Sequence, residues 1–320
     1  MNIHMHDVAN FQTCRFKFYM DFVKGYTTRV LPKYINIGGV FSKAVEQLHL
    51  HKDIGYSMAY IQQIQDEKME QARSQDQIDE IETNCMVLQA MINGYNERFV
   101  RDRDDEIQPE FRLEFPFPQN KDFNYVCRLD GLKNSSWILE DKTTAKVEKG
   151  LIKHLPTNFQ INSYWLALLK NGYNPEGVSY RYTQKPTIRQ KQTETIEQFQ
   201  KRIMLDYVTR KDHYFYEEEL RFDKQAIERF EKNLYMIFDD ILKCYETGNW
   251  YQEGTSCRSG FNTSCKFLEY CYNPTQETLD TYYVQEETHE YVEPDNIKFG
   301  RLRKGVANAR TRLLKARMGK

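Results

Sequence analysis

The sequence predicts an α/β fold, with a mixed central sheet and helices added around it. The first observation is a polar stretch at about 56–105, in which Met, Ile and Leu recur at helical intervals. The second is a helical pattern at about 158–171, followed by a strand-like segment at 177–184. The third is a set of segments rich in aromatic and branched residues, which predict strands at 110–117, 123–132 and 136–142.

Other elements complete this order. The segment 34–51 pairs a glycine turn with an amphipathic helix, whose core side we expect to hold Val40, Phe41, Ala44, Val45 and Leu48. The helix at 158–171 is predicted to stop at Asn171-Gly172. Residues 214–222 are typical of one more strand, and 223–247 of a long amphipathic helix.

Composition excludes several classes of protein. The 320 residues are 40% hydrophobic and 28% charged, which is ordinary for a globular protein. No run of about 18 apolar residues exists to span a membrane, and the first residues lack the apolar stretch of a secretory signal. We therefore expect a cytoplasmic protein. The net charge of −1 does not indicate nucleic-acid binding, so any DNA affinity must come from local basic patches.

The one predicted boundary lies near residue 275. We expect a single domain at 1–275, with a helical insertion at about 53–105, and a C-terminal tail at 276–320. Residues 276–295 hold seven acids and no Lys or Arg, whereas residues 298–320 hold nine Lys or Arg and no acid. The tail is interpreted either as a solvated segment or as a basic arm that contacts phosphate.

A predicted hairpin brings two carboxylates together. The turn-forming cluster Lys133-Asn134-Ser135-Ser136 separates two strands, and a hairpin centred near residue 135 places Asp130 opposite Glu140. Opposed side chains lie roughly 4.5–5.5 Å apart at Cβ. Two unpaired carboxylates at that distance repel each other unless a cation binds them, and oxygen ligands suit Mg²⁺ or Mn²⁺. The alternative is an exposed hairpin with ordinary surface charges.

Strand alternation assigns the neighbouring residues. Glu140 and Lys142 project from one face, while Asp141 points the other way and offers only its backbone carbonyl as a ligand. A bound cation would neutralise the scissile phosphate and lower the pKa of water. Lys142 would then orient or help deprotonate that water, or stabilise the charge of the transition state.

Two helices supply further candidates. Gln160 and Tyr164 lie four residues apart and share a helix side, from which an amide and a phenol could bind a phosphate oxygen. Glu46 lies off the apolar side of the 34–51 helix and could reach the metal site. The alternatives are two polar residues at a sheet edge and a solvated glutamate.

Seven cysteines in a chain expected to be cytoplasmic argue against a disulfide framework. Cys257, Cys265 and Cys271 follow a C-x7-C-x5-C spacing, and Cys14 stands alone near the other terminus. Four thiolates suit an iron–sulfur cluster or a zinc ion. The alternative is a set of scattered buried thiols, as we expect for Cys85, Cys127 and Cys244.

Together these motifs resemble the RecB-like branch of the PD-(D/E)XK nucleases. The resemblance is greatest to its iron–sulfur members, among them the AddB nuclease domain and the nuclease that accompanies CRISPR adaptation. It runs from about residue 6 to 272 and rests on the order of the motifs. The family order begins with a lone cysteine and a G-x-x-x-H-x-x-x-E helix, which fall on Cys14 and on Gly38 to Glu46. The G-R-x-D and E-x-K strands fall on Arg128 to Asp130 and Glu140 to Lys142, and the Q-x-x-x-Y helix falls on Gln160 to Tyr164. The three closing cysteines fall on Cys257 to Cys271.

The resemblance implies a restriction-endonuclease-like core, a DNA substrate and a [4Fe–4S] cluster on Cys14, Cys257, Cys265 and Cys271, with zinc as the alternative. We expect an Mg²⁺- or Mn²⁺-dependent exonuclease acting on single-stranded or frayed DNA, with a helicase or recombination protein as a further partner. The alternative is a weakened nuclease fold that binds DNA or a partner in recombination, repair or a phage assembly.

The sequence departs from the family pattern at three places. Ser42 stands where the family has histidine, which removes an imidazole ligand, and His49 is a candidate replacement. Cys127 replaces the usual glycine before Arg128. The spacing from Cys257 to Cys265 is wider than the family's common C-x2-C.

Overall fold

The computed structural model of the chain describes residues 1–29, 35–101, 104–147, 153–221, 223–258 and 264–285. Its helices are α1 (Met5–Thr13), α2 (Arg15–Phe18), α3 (Ile37–His51), α4 (Ile54–Gln71), α5 (Gln75–Phe99), α6 (Phe159–Lys170), α7 (Ile196–Thr209), α8 (Lys211–Tyr214), α9 (Lys224–Thr247), α10 (Leu268–Tyr272) and α11 (Gln276–Tyr282). Its strands are β1 (Asn2–His4), β2 (Tyr26–Thr28), β3 (Ile107–Pro116), β4 (Asn124–Lys133), β5 (Trp137–Thr144), β6 (Gly177–Gln184), β7 (Phe215–Leu220) and β8 (Tyr283–Gln285).

The chain divides into two compact units. The first contains Met1–Leu31, Glu114–Cys127 and Gln225–Lys320, and the second contains Pro32–Leu113 and Arg128–Lys224. The predicted domain at 1–275 therefore takes in parts of both units. The cysteine motif lies within the first unit and the carboxylate motif within the second.

Strands β1 and β3 to β7 form a mixed sheet with the order β1-β4-β5-β6-β7, in which β3 also pairs with β4. The β4–β5 and β6–β7 pairs are antiparallel, whereas β5–β6 is parallel. Helices flank this sheet. The prediction of an α/β fold with a mixed central sheet is confirmed, and a restriction-endonuclease-like core stays a prediction.

The hairpin that joins β4 to β5 has the register that its turn residues predict. Lys133 pairs with Trp137, and Gly131 pairs with Leu139. Asn134 and Ser135 form the turn with φ angles of 50° and 59°. Asn tolerates this left-handed region better than most residues, which suits it to the three-residue loop between Lys133 and Trp137.

Helices α3, α4, α5 and α7 pack together in the second unit, where α3 to α5 pack in sequence and α5 also packs on α7. Helices α4 and α5 occupy the range of the predicted helical insertion, and their status as an insertion stays a prediction. Helix α3 begins at the N-cap Asn36, whose side chain accepts a hydrogen bond from the backbone of Gly39. A Cβ atom on Gly38 would lie 3.2 Å from Thr143 Oγ1, so glycine lets the start of α3 approach the end of β5 closely.

The first unit contains an aromatic core, in which the rings of Phe117 and Phe238 stack at 3.6 Å. Residues 276–285, which we expected to open the tail, instead form α11 and β8, and β8 pairs with β2. The remainder of the predicted tail, including the basic segment at 298–320, lies outside the described residues. Within the described part of the chain, no helix is both long and apolar enough to cross a membrane.

Candidate metal centre and cysteine cavity

Asp130 and Glu140 face each other across the β4–β5 hairpin. The register pairs Gly131 with Leu139, and continuing it by one residue places Asp130 opposite Glu140. The main-chain N–H of Asp141 donates a hydrogen bond of 2.9 Å to Asp130 Oδ2. The backbone of β5 therefore holds the carboxylate of Asp130 on β4 in place.

Burial makes this pair of carboxylates costly. Glu140 has no exposed surface, and burial, followed by the negative charge of Asp130, raises its pKa to about 8 although Lys142 opposes the shift. Burial likewise raises the pKa of Asp130, against the effect of Lys142. Two adjacent groups that both resist ionisation gain from a nearby cation, because it stabilises their charged forms.

Lys142 is the positive group at this site. Its ammonium contacts Oε1 of Glu140, whereas the buried Oε2 of Glu140 has no hydrogen-bond partner among the described residues. Burial lowers the pKa of Lys142, but Glu140 and Asp130 raise it by more, so the net shift is upward. A charged lysine thus lies beside Glu140, whose Oε2 atom has no hydrogen-bond partner among the described residues.

Asp141 lies on the opposite face of β5, as strand alternation predicts. Its side chain is 8% exposed, and its Oδ2 accepts a hydrogen bond of 3.1 Å from the hydroxyl of Tyr95. Burial raises the pKa of Asp141 to about 7, and the charge of Arg181 opposes that rise. The side chain of Asp141 is engaged away from Glu140, and only its backbone is left for the predicted ligand role.

Glu46 lies beside Lys43, with 2.5 Å between its Oε2 and the lysine Nζ. Its charge also acts on Glu110, whose pKa is raised first by burial and then by Glu46, while Asp130 adds to the same shift. Glu110 is therefore linked electrostatically to Glu46 and Asp130. Sequence reasoning missed Glu110, which has a φ of 50° in β3 and pairs with Arg128 at 3.5 Å.

Gln160 and Tyr164 lie on α6 and contact each other, as their spacing predicts. The side-chain amide of Gln160 donates a hydrogen bond of 2.7 Å to the Tyr164 hydroxyl. Tyr164 is 2% exposed, and Gln160 is half-buried. Their role toward phosphate stays a prediction.

Two tyrosines that sequence reasoning passed over lie on the face of Glu140 and Lys142. In the parallel β5–β6 register Tyr180 pairs with Glu140, and Tyr182 pairs with Lys142. Their rings lie 4.9 Å apart, and each residue is 5% exposed. Their alternate positions in the strand predicted at 177–184 were the available signal, but that pattern alone gives neither the neighbouring strand nor the register.

Among the residues that the structure describes, no three or more His, Cys, Asp or Glu side chains are arranged so that they could hold a metal ion. Two carboxylates are nevertheless enough for Mg²⁺, which usually keeps several waters and takes only one or two protein carboxylates. Asp130 and Glu140, with the open Oε2 atom of Glu140, fit that requirement by their chemistry.

The four candidate cysteines of the first unit line one small cavity. Cys14, Cys257, Cys265 and Cys271 share it with apolar neighbours that include Phe267. Burial and, to a smaller extent, the other three thiols raise the pKa of Cys271 to about 11. Such mutual repulsion requires the sulfur atoms to be near one another, which the sequence predicts for a shared metal group.

Cys14 shows a further feature of sulfur ligands. Its Sγ accepts hydrogen bonds of 3.4 Å from the backbone N–H groups of Lys17 and Glu253. Backbone donors to sulfur are among the contacts that tune iron–sulfur clusters. The four thiols fit a soft metal by donor type, although their present side-chain positions do not group them as ligands.

The other cysteines behave as predicted for core thiols, since Cys85, Cys127 and Cys244 are all buried. His49, the candidate replacement for the missing histidine, is 6% exposed, and its Nε2 lies 3.2 Å from the Tyr95 hydroxyl. His49 therefore makes this contact on the side of β5 where the Asp141 side chain lies.

Comparison with known proteins adds no assignment. The chain matches no protein-family model, and no curated protein matches it either. Function is therefore inferred from the chemistry of these two groups of residues.

Proposed function

We propose that this chain is an Mg²⁺- or Mn²⁺-dependent deoxyribonuclease that hydrolyses phosphodiester bonds. The observation that carries the proposal is the pair of half-buried Asp130 and buried Glu140, opposed across one hairpin with Lys142 in contact with Glu140. A carboxylate pair with an adjacent lysine is suited to hold a hard cation and to assist a water that attacks phosphorus.

Each residue has a stated role. Asp130 and Glu140 hold the cation, the backbone carbonyl of Asp141 is a third oxygen ligand, and Glu46 is a further candidate. The cation, when bound, neutralises the scissile phosphate and lowers the pKa of water. Lys142 orients that water or stabilises the added negative charge of the transition state.

The reaction forms one phosphorus–oxygen bond and breaks another. The oxygen of water attacks phosphorus and water gives up a proton, while the bond to the leaving deoxyribose oxygen breaks and that oxygen takes up a proton. Gln160 and Tyr164, which already form a hydrogen-bonded pair, brace a phosphate oxygen during this step. Positioning of the phosphate and of the attacking water accounts for most of the rate enhancement available to such a site.

The substrate and setting follow from the family resemblance. We propose an exonuclease that acts on single-stranded or frayed DNA ends in a cytoplasm, alongside a helicase or recombination protein, in DNA repair or a phage process. The basic segment at 298–320 adds phosphate contacts. It lies outside the described residues, so this role rests on its nine Lys or Arg residues.

We propose further that Cys14, Cys257, Cys265 and Cys271 hold a [4Fe–4S] cluster, with zinc as the alternative. The shared cavity and the backbone donors to Cys14 support this assignment. Binding requires these side chains to rotate toward a common point. The cluster would tie the N-terminal segment to the C-terminal part of the first unit.

A second function is favoured by Ser42. A hydroxyl is a poorer metal ligand than the imidazole that the family carries there, so the fold could bind DNA or a partner without cutting. This alternative predicts DNA binding without hydrolysis in Mg²⁺ or Mn²⁺. The intact set of Asp130, Glu140 and Lys142 favours the active enzyme.

The deciding experiment is digestion of end-labelled single-stranded and duplex DNA with Mg²⁺, Mn²⁺ or EDTA. We expect shortening of single strands that EDTA abolishes, and no shortening by Asp130→Asn protein from a parallel purification. DNA binding without cleavage in both metals would establish the weakened-module alternative. Equal cleavage by wild-type and Asp130→Asn proteins would reject the assigned site.

A further inference from the structure

A buried polar network lies behind strand β5, on the face opposite Glu140. Its centre is Tyr95 of helix α5, which has no exposed surface. The Tyr95 hydroxyl lies 3.1 Å from Asp141 Oδ2, 3.1 Å from Arg181 Nη1 and 3.2 Å from His49 Nε2. One hydroxyl thus joins two helices and two strands of the second unit.

The hydrogen bonds of this hydroxyl can be assigned by counting protons. A phenol has one proton to donate and two lone pairs that accept. Arg181 can only donate, and the Tyr95 hydroxyl gives its one proton to Oδ2 of Asp141. His49 must then donate from Nε2, which a neutral ring can do. Burial, helped by the charges of Arg181 and Lys52, lowers the pKa of His49 to about 3 and keeps that ring neutral.

Arg181 is itself held in place. It has no exposed surface, and it lies opposite Asp141 in the β5–β6 register. Its Nε donates a hydrogen bond of 2.9 Å to Glu217, whose carboxylate also accepts one of 2.8 Å from Ser179. The side chain of Asp141 therefore lies in a network to which helix α5 contributes Tyr95 and strand β6 contributes Arg181, and Arg181 is itself held by Glu217.

We propose that Tyr95 is a positioning residue for the metal site, which acts by fixing Asp141 so that its main-chain N–H holds Asp130 in place. The side chain and the main-chain N–H of Asp141 connect the network behind strand β5 with Asp130. Its side chain is bound to Tyr95, and its N–H donates 2.9 Å to Asp130 Oδ2. Both hydrogen bonds are made by Asp141, so loss of the bond to Tyr95 removes one of the constraints that hold this residue while its N–H reaches Asp130. The catalytic meaning of this role rests on the proposed function.

Two matched variants separate this role from general stability. Tyr95→Phe removes one oxygen and keeps the ring against Phe41 and Phe99, whose centroids lie 5.8 and 5.0 Å away. The control is Tyr207→Phe, because Tyr207 is equally buried in the same core and its hydroxyl donates to the backbone oxygen of Gln184 at 2.7 Å. Tyr95→Phe removes the three contacts of its hydroxyl and Tyr207→Phe removes one hydrogen bond, and only the first variant acts on Asp141.

The first readout needs no metal. Amide hydrogen exchange of ¹⁵N-labelled, metal-free protein compares the N–H of Asp141 with that of Ile138 on the same strand. We expect Tyr95→Phe to speed exchange at Asp141 about tenfold relative to Ile138, the size expected for loss of one buried hydrogen bond. Tyr207→Phe should leave that ratio unchanged. An unchanged ratio in Tyr95→Phe, or the same change in both variants, overturns the proposal.

The second readout is Mn²⁺ affinity, measured by electron paramagnetic resonance of free Mn²⁺. Tyr95→Phe should weaken binding by roughly five- to tenfold, and Tyr207→Phe by less than about twofold. If the wild-type protein binds no Mn²⁺, the proposed nuclease function fails, while the exchange ratio still decides the role of Tyr95. Mn²⁺ affinity that is equal in all three proteins means that Tyr95 does not position the metal site.

Discussion

The main-chain N–H of Asp141 donates a hydrogen bond of 2.9 Å to Oδ2 of Asp130 on the neighbouring strand. This bond satisfies one oxygen of Asp130, while the ammonium of Lys142 contacts Glu140. Asp130 and Glu140 therefore differ in their partners, although both are assigned to the same cation.

Replacing Asp130 by Asn keeps the size of the side chain and an oxygen that accepts from Asp141, but removes the charge. Cleavage should fall on the order of 100-fold or more, as for loss of a main electrostatic group at a reaction centre. Glu140→Gln should have the same effect. Because repulsion between the carboxylates is relieved, neither metal-free variant should unfold at a lower temperature than wild type.

Digestion of labelled DNA and thermal unfolding in EDTA check both statements. The control is Asp79→Asn, which changes an exposed aspartate of α5. Full cleavage by Asp130→Asn would falsify the assigned site whatever the fold.

Lys142→Ala should abolish cleavage and retain Mn²⁺ binding. The lysine ammonium contacts Glu140, so its removal takes away a positive charge that competes with the cation. Titration with Mn²⁺ should give a dissociation constant no weaker than that of wild type. Lys146→Ala, at an exposed lysine just beyond β5, serves as the control. Loss of Mn²⁺ binding in Lys142→Ala would show that the lysine acts on the metal site itself.

Ser42→His tests whether a missing ligand limits the enzyme. Ser42 is half-buried on α3, one turn before Glu46. An added imidazole should tighten Mn²⁺ binding by about tenfold, which corresponds to ~1.4 kcal/mol, and raise the cleavage rate. Ser42→Leu adds bulk without a ligand and should do neither. Equal affinities of the two variants for Mn²⁺ would mean that position 42 does not face the metal.

Anaerobically purified protein should be brown and contain iron, and the colour should bleach with air or dithionite. Cys14→Ser should lose both the colour and the iron, whereas Cys244→Ser, at a buried cysteine of α9, should keep them. Colourless protein with one equivalent of zinc would favour the zinc alternative. Protein with neither metal would remove the cofactor from the proposal.

The buried, neutral His49 predicts a pH dependence of folding. Burial and the charges of Arg181 and Lys52 lower its pKa to about 3, and the opposite effect of Asp105 is smaller. Below the unfolded value of about 6.5, the unfolded chain binds a proton that the folded protein does not. The contribution of His49 to stability is therefore complete above about pH 6.5 and is lost as the pH falls toward 3.

Urea unfolding between about pH 7 and pH 5 should show a loss of about 2 kcal/mol from this group. His49→Gln, whose amide can still donate to Tyr95, should show a correspondingly smaller loss over the same range. Parallel profiles for the two proteins would mean that His49 is protonated in the folded state.

The hairpin could be predicted because it is local. The turn cluster around Asn134 and Ser135 sets the register, and that register alone brings Asp130 opposite Glu140. The predicted strand at 177–184 matches β6 for a similar reason, since its branched and aromatic residues lie between a glycine and a polar loop. Local patterns of this kind can be recognised without knowing which distant residues lie nearby in the fold.

The network behind β5 could not be predicted in this way. Tyr95 and Asp141 are 46 residues apart, and the helical pattern around Tyr95 indicates a core position without identifying its partner. The same holds for Glu110, whose link to Glu46 depends on the packing of α3 near β3 and β4. Residues 276–285 were misplaced in the tail because their acidic composition outweighed the short pattern of β8.

The pairing of β2 with β8 has a consequence for synthesis. Tyr26 pairs with Gln285, so one of the first segments made must wait for one of the last before its backbone is paired. The last residue of the second unit is Lys224, so all of its chain is synthesised before β8. On a ribosome it can therefore fold first, while the N-terminal cysteine segment stays open to solvent, since domains fold as their chain emerges. A ribosome stalled before the last cysteines would carry a folded carboxylate site and a reduced, unassembled Cys14.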